Sequence, residues 1–209
     1  MENFFFGEPL DSVSAIEHLP TENFKCAIAS NRWDLADTLR NEGYVFIDRT
    51  IKATIALKAT KNFHKLCRLE LQESPLNERI HEIAEKSFSL DARFISSFPP
   101  KFDEKLLDNY LSEMKNCYVC RVKNEIAGFI EVVVASSNGG VTIRLAAVEE
   151  KYRLSGAAIS LYAGAANLCL QKNFRRLEVR LSCRNMSAIN LYASLGATFS
   201  YPLDIYIRS

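Results

Sequence analysis

The order in which two hydrophobic periods alternate is the strongest constraint on how this chain folds. A period of two residues marks a strand with one inward face, and a period near 3.6 marks a helix with an apolar stripe. Leu66–Leu71 (LCRLEL) reads as a strand. Leu76, Ile80, Ile83, Ala84 and Phe88 then recur at helical spacing, which predicts an amphipathic helix over Leu76–Phe88. A proline-containing loop, DARFISSFPPKF, follows. Asp103 can cap a second helix through Asn116, with Leu106, Leu107, Tyr110, Leu111 and Met114 inward. Three strand-like runs come next, Tyr118–Val122, Ile126–Ala135 and Val141–Val148, separated by the hairpin-type turns KNE and SNGG. The rest reads as a helix from about Ser155 to Lys172, a strand Arg176–Ser182, a helix Met186–Leu195 and a strand Ala197–Ile207. The order β-α-α-β-β-β-α-β-α-β requires an α/β (α+β) fold, a mixed sheet with helices on its faces.

A smaller α/β unit precedes this series. Asn23–Ala29 alternates as a short strand, and Ser30 and Asn31 are N-cap types before WDLADTLRNEG, where Leu35, Ala36 and Leu39 keep helical spacing until Gly43. Tyr44–Leu57 resumes β-type residues, and Lys58–His64 reads as a connector. The expected division is an N-terminal α/β unit over 1–63 and a larger domain over 64–209. A chain of 209 residues can bury a core of that size without covalent staples. Trp33 reads as core in the leading unit. The final strand, with its long apolar run, reads as a sheet edge that a second copy could cover, a possible homodimer.

Charge narrows the partners. Lys and Arg number 26 against 25 Asp and Glu, a formal net charge of +1, which argues against nucleic acid and leaves any anionic ligand to a few local groups or backbone dipoles. The apolar stretches fall short of the ~18 residues of a membrane span, and MENFFFGEPLDS lacks the basic and apolar regions of a signal peptide; a cytoplasmic location is expected. Most of the six cysteines sit in apolar runs, as reduced thiols do. Cys117-Tyr-Val-Cys120 has metal-ligand spacing, but no second Cys/His pair accompanies it, so it reads as the start of a strand and no metal site is expected. His18, His64 and His81 form no cluster in the sequence.

Chemistry concentrates in Val148-Glu-Glu-Lys-Tyr-Arg153-Leu-Ser-Gly156-Ala157-Ala158. A strand ends, an Arg comes five residues later, and a Gly sits where a helix must begin. At a helix N-terminus the first N–H groups lack internal partners and the dipole favours anions, so Gly156, Ala157 and Ala158 would let a pyrophosphate approach the backbone. Read alone, the turn is equally a strand–helix connection with small residues for packing. Its setting adds specificity: it follows two long strands and precedes a strand and Asn185-Met-Ser-Ala188-Ile-Asn-Leu191-Tyr192-Ala-Ser-Leu-Gly196-Ala197.

With these residues in place, the segment from Leu66 to Ser209 resembles the GNAT superfamily of acyl-CoA-dependent N-acyltransferases. The resemblance implies a mixed sheet with splayed central strands, and acetyl-CoA or another short acyl-CoA as co-substrate. It implies that Arg153, Leu154, Ser155, Gly156, Ala157 and Ala158 bind the CoA pyrophosphate. It also implies that Leu145, Ala146, Ala147 and Val148 pair their backbone with the pantetheine arm, and that Asn185 faces the CoA chain. Ala158 stands where Gly is common, and Gly196-Ala197 where Gly-Phe is more usual. A narrower likeness rests on Glu2-Asn3-Phe4-Phe5-Phe6-Gly7, on A-I-A-S-N…L-x-x-x-G-Y…D-x-x-I, and on Ala92-Arg93-Phe94. Together these look like the sugar N-acyltransferase branch typified by TDP-fucosamine acetyltransferase. The branch implies an acceptor amine on a nucleotide-linked amino-dideoxy sugar, of the kind used in lipopolysaccharide and other cell-surface polysaccharides.

Acyl transfer needs a placed amine, stabilisation of the developing oxyanion and a proton for the departing thiolate. Tyr192 lies four residues after Ala188 and three before Leu195, so one helical face turns it to the sheet, where its phenol could serve as general acid. The competing reading is a core tyrosine bonded to a backbone carbonyl. Glu131, in GFIEVVV, shares a face with Phe129 and Val133 and is a candidate base, or else a surface Glu on a half-exposed sheet. Asn185 is equally an N-cap without ligand contact. Arg93 and Phe94 could bind the acceptor's pyrophosphate and its base or sugar; otherwise they are a loop residue and a core Phe. The alternatives to a sugar acceptor are a peptide, polyamine or antibiotic amine, or a non-catalytic acyl-CoA-binding regulator.

Overall fold

The computed structural model describes residues 9–19, 24–57, 71–135 and 140–208. The leading segment forms α1 (Val13–Glu17), β1 (Lys25–Ala29), α2 (Trp33–Asn41) and β2 (Tyr44–Ala56). There follow β3 (Leu71–Glu73), α3 (Glu78–Phe88), a short 3-10 turn (Ala92–Phe94), α4 (Glu104–Ser112), β4 (Cys117–Val122), β5 (Glu125–Ala135) and β6 (Gly140–Val148). A second 3-10 turn (Glu150–Ser155) leads into α5 (Ala157–Gln171), then β7 (Arg176–Ser182), α6 (Met186–Ser194) and β8 (Thr198–Arg208). The order expected from hydrophobic period holds from Leu71 onward. Residues 66–70 of the LCRLEL strand, the 58–64 connector and the FFF motif lie outside the described residues.

Helix starts follow local chemistry more closely than the periodicity suggested. Asn77, not Leu76, begins the first long helix: its side chain accepts the Ile80 N–H at 3.1 Å, and Leu76 lies ahead of it, largely exposed. Asp103 caps α4 as expected, accepting from the Lys105 N–H at 3.1 Å. Neither Ser30 nor Asn31 caps α2; the N-cap is Arg32, whose guanidinium grips Asp34. The buried stripe of α2 is Leu35, Ala36 and Leu39, and Trp33 stands outside it at 69% exposure, so Trp33 is not core.

The eight strands among the described residues share one sheet, in the order β1-β8-β2-β7-β6-β5-β4-β3. This corrects two expectations. The boundary at residue 63 divides the sequence but not the sheet, because β2 lies inside it, antiparallel to both β7 and β8. The final strand is not an edge either: β8 is flanked by β1 and β2, which removes the argument for a dimer through it. Long-range pairing of this kind leaves no trace in local periodicity.

Helices cover both faces. Phe129, Leu145 and Ala147 pack with Ile80, Ile83, Leu107 and Leu111 beneath α3 and α4. The alternate residues Ile130 and Val148 pack with Ala157, Leu161, Tyr192 and Leu195 of the α5 and α6 side. The CYVC pair is split by the same alternation: Cys117 joins the first cluster and Cys120 the second, so the two thiols point to opposite faces and cannot chelate one ion. Burial raises their pKa values to about 12 and about 11.

One irregularity places the site. β6 and β7 run parallel but pair only over Gly140–Ile143 and Arg176–Val179. Against β5, Glu131 faces Leu145 and Val132 faces Ile143, which leaves Arg144 as the extra residue of a β-bulge. A bulge bends its strand and adds local twist. Past it, Leu145–Val148 pair with β5 alone, and Arg180–Ser182 pair with β2 alone. The sheet is open between these two strand ends.

Candidate active site

The chain leaving the opening on the β6 side builds an anion-ready helix start. Beyond the 3-10 turn, Gly156 adopts φ 82°, ψ 4°, a left-handed conformation that glycine enters without steric cost. The first backbone bond of α5 runs from the Ser160 N–H to the Gly156 carbonyl at 3.0 Å, so the amides of Ala158 and Ile159 lie ahead of it. The Ala157 N–H reaches only the Ser155 hydroxyl, at 3.4 Å. Ala157 is buried and Ala158 half-buried, while Arg153, Leu154 and Ser155 are exposed. The Arg153 guanidinium stays at the mouth of the opening, its Nε 3.4 Å from the Val148 carbonyl.

Beside this turn a groove of about 350 Å³ separates it from α3, lined by Arg79, Lys86, Glu149, Lys151 and Arg153 among others. Arg79 is paired with Glu82 and Glu149, and Lys151 with Glu125. Lys86 and Arg153 have no acidic partner among the described residues, which makes them the cations available to a phosphate. Along the opening, Leu145 and Ala147 face α3 and α4, whereas Ala146 and Val148 face α5.

Tyr192 of α6 is 1% exposed, and its hydroxyl is buried without a hydrogen-bond partner. Its ring meets that of Tyr162 edge-on, centroids 4.9 Å apart. Burial, aided by the adjacent Tyr162 phenol, holds its pKa well above the ordinary value, so the group carries its proton. The backbone carbonyl that a purely structural tyrosine would use is not there. Asn185 is exposed and caps α6, accepting the Ala188 N–H at 3.0 Å.

Glu131 is not a surface residue: it is 0% exposed. Its Oε1 lies 3.4 Å from the Lys115 amide and 3.5 Å from Nη1 of Arg144, and its Oε2 has no partner. Desolvation raises its pKa above that of an ordinary carboxylate. Arg144 in turn lies over the Tyr110 ring, 4.5 Å from its centroid.

Phe94 takes the second of its two readings, a core Phe, and Arg93 is turned inward rather than toward a ligand. Phe94 is 1% exposed among Phe88, Tyr110 and their neighbours, with no face left for a base. The Arg93 guanidinium turns inward, donating to Asp91 at 2.7 and 2.8 Å and to the carbonyl of Arg144, the bulge residue, at 2.8 Å. The loop is held from the other side as well. Lys25 of β1 donates to the carbonyls of Ala92, Arg93 and Ile95 at 3.1, 2.8 and 2.7 Å.

The periodicity passed over Lys25, Arg144, Tyr162 and Asp48. Asp48 carried the clearest signal, a carboxylate inside the β-type run YVFIDRTI. It is 5% exposed and accepts from the Arg49 N–H at 2.8 Å and the Ser182 hydroxyl at 2.9 Å.

Known proteins share this architecture. The acetyltransferase (GNAT) family model matches residues 77–197. Among solved structures, the chain is similar to a GCN5-related N-acetyltransferase from Sphaerobacter thermophilus, with TM-score 0.63 and 14% identity over 93% of this chain and 62% of that one. A functionally unknown conserved protein from Staphylococcus epidermidis has TM-score 0.64 and 13% identity over 90% of this chain and 72% of that one. A Bacillus subtilis acetyltransferase in complex with CoA has TM-score 0.50 and 14% identity over 67% and 97%. The chain spans less than two thirds of the length of the Sphaerobacter protein. At these identities the likeness is one of fold. No curated protein matches the sequence.

Proposed function

Because the chain belongs to the GNAT acetyltransferase family, we propose that it transfers an acetyl or other short acyl group from acyl-CoA to the amine of a nucleotide-linked amino-dideoxy sugar, with dTDP as the expected nucleotide. The observation that carries the transferase reading is the opening between β6 and β7, with a helix N-terminus following β6 and Tyr192 in the core cluster that holds Val148 and Leu181 of the two strand ends. Backbone groups of Leu145–Val148 turned away from β5 would bond the pantetheine arm. The amides at the start of α5, with Arg153, would hold the pyrophosphate; the Bacillus subtilis acetyltransferase of similar fold is a complex with CoA. A nearly neutral protein can bind a polyanion in this way.

The amine nitrogen attacks the thioester carbonyl, the C–S bond breaks, and the thiolate takes the Tyr192 proton. Burial keeps Tyr192 protonated until then. The amine arrives as an ammonium and must first surrender a proton. On the α3 and α4 side of the sheet two buried carboxylates, Glu131 and Asp48, are available to receive it. The sugar acceptor rests on the leading segment, whose β1 and β2 lie on the β7 side of the opening and whose motifs are similar to those of the sugar N-acyltransferase branch. The reading places the protein in the cytoplasm, makes cell-surface polysaccharide the destination of its product, and uses no metal.

The test is thiol release from acetyl-CoA in the presence of dTDP- and UDP-amino sugars, peptides and polyamines. Turnover with an amino sugar is the expected result. Turnover with a polyamine or peptide alone replaces the acceptor, and acetyl-CoA binding without turnover of any amine makes the chain a regulator.

A further inference from the structure

The conformation of β2 gives Asp48 a position that strict alternation would deny it. Against β8, Phe46 pairs with Tyr206 and Asp48 with Ile205, leaving Ile47 as an extra residue. The shift moves Asp48 from the α2 side to the face that carries Ile205 and Ala92. Its neighbour Arg49 goes the other way, into a two-bond ion pair with Asp204 at 2.5 and 2.8 Å. The carboxylate is thus separated from the adjacent cation in the sequence.

Its surroundings are poor in positive charge. From the end of β7 it meets the Ser182 hydroxyl at 2.9 Å, the Cys183 thiol nearby, and Nε of Arg184 at 3.8 Å on a side chain 70% exposed. From the loop packed on that face it meets the negative charge of Asp91. The cations at that loop are committed, Arg93 of the loop to Asp91 and the Arg144 carbonyl, Lys25 of β1 to three backbone carbonyls. Burial, with Asp91, raises the pKa of Asp48 above an ordinary carboxylate, the direction a proton acceptor needs. Ser182, to which it is bonded, is the last residue of β7, on the lip of the opening. Glu131, by contrast, is sealed at 0% exposure and faces Arg144.

We propose that Asp48 is the carboxylate that receives the acceptor amine, binding the ammonium and taking its first proton. The step balances. R–NH3+ and the Asp48 carboxylate become R–NH2 and the carboxylic acid, which returns its proton to solvent at the lip. Once the C–N bond has formed, the nitrogen loses a second proton, which replaces the one Tyr192 gave to the thiolate. The inference rests on the acyltransferase reading and names the acceptor end of the same site.

Asp48→Asn tests it, because the amide oxygen can still accept from Ser182 and Arg49. With acetyl-CoA and the amine that the panel identifies, kcat/KM falls by about 100-fold or more. Acetyl-CoA binding by calorimetry stays within about twofold of the parent, since no contact of Asp48 lies on the β6 side. The acid limb of the parent pH–rate profile disappears in Asp48→Asn and returns, displaced, in Asp48→Glu. Ser182→Ala, which removes a donor that favours the ionised form, moves that limb to higher pH, so the proposal stays testable if Asp48→Asn does not fold. Full activity with an unchanged acid limb in Asp48→Asn overturns the assignment while the transferase reading stands, and loss of the limb in Glu131→Gln instead gives the role to Glu131. A parent protein that binds no acetyl-CoA, or binds it and turns over none of the amines, overturns both.

Discussion

Tyr192 and Glu131 each hold a polar atom sealed from water without a partner, one on either face of the sheet. An unsatisfied buried group costs about 1–3 kcal/mol, and its persistence in a fold asks for a use. For Tyr192 the use is the thiolate proton. Tyr192→Phe keeps the ring packed against Tyr162, so kcat drops by about 10²-fold or more while KM for acetyl-CoA holds. The same variant holds the parent melting temperature in a calorimetric scan, since the hydroxyl it removes has no acceptor at full hydrogen-bond geometry and only the Tyr162 phenol beside it. For Glu131 the sign follows from linkage. Its folded pKa lies above the unfolded one, so the native state binds the proton more tightly, and stability falls as pH rises from the unfolded value through the folded one. Glu131→Gln removes that loss, and the melting temperature compared between pH 4 and pH 8 shows a smaller decline than in the parent.

At the scale of elements, the loop 91–95 joins parts of the sheet that lie on opposite sides of the opening. Lys25 holds its carbonyls from β1, and Arg93 holds the bulge carbonyl of β6. Removing the ammonium would leave three carbonyls without that donor. Lys25→Met is therefore expected to lower the melting temperature and, by loosening Arg93 from Arg144, to raise hydrogen exchange in 91–95 and 144–145 together. The start of α5 makes a second prediction. With φ at +82°, Gly156→Val strains the turn, because a β-branched residue there is a steric outlier. Calorimetry should show acetyl-CoA affinity falling more than global stability does, since the turn is exposed and the helix it begins is anchored by its buried face. Gly164 is constrained differently: a Cβ there would meet the Leu71 side chain at 2.7 Å, where α5 presses on β3.

For the whole molecule, the interior place of β2 decides what can be cut. Removing residues 1–63 would take away both partners of β8, β1 and β2, and the β2 neighbour of β7, leaving three strand edges unpaired. The fragment 64–209 is expected to be aggregated or unfolded by circular dichroism and sedimentation, although the family model matches a segment wholly within it. A fragment that folds and binds acetyl-CoA would show instead that the β2 slot can close on its own.

Period, caps and small residues are local quantities, and they were sufficient for the order of elements from Leu71 onward, for the Asp103 cap, and for the Arg153–Ala158 turn as the start of a helix. The motif around Tyr192 likewise led to a residue on the inward face of its helix, buried against Tyr162. What periodicity could not supply was pairing between segments distant in the chain. Whether Tyr44–Ala56 closes a unit of its own or enters the main sheet depends on contacts with residues more than a hundred positions away. The same holds for the inward turn of Arg93, which its sequence neighbours suggest is a surface ligand, and for the depth of Glu131, whose strand is apolar on both faces. Asp48 shows the limit most plainly. Alternation assigns it to the α2 face, and a single extra residue at Ile47, set by register against β8, puts it on the other. The sequence alone determined which segments are strands and helices and where an anion could meet a helix start, because neighbours in the chain decide those. Only the tertiary structure decided which charged side chains are buried and on which face of the sheet they lie, because burial and register depend on pairing between strands far apart in the chain.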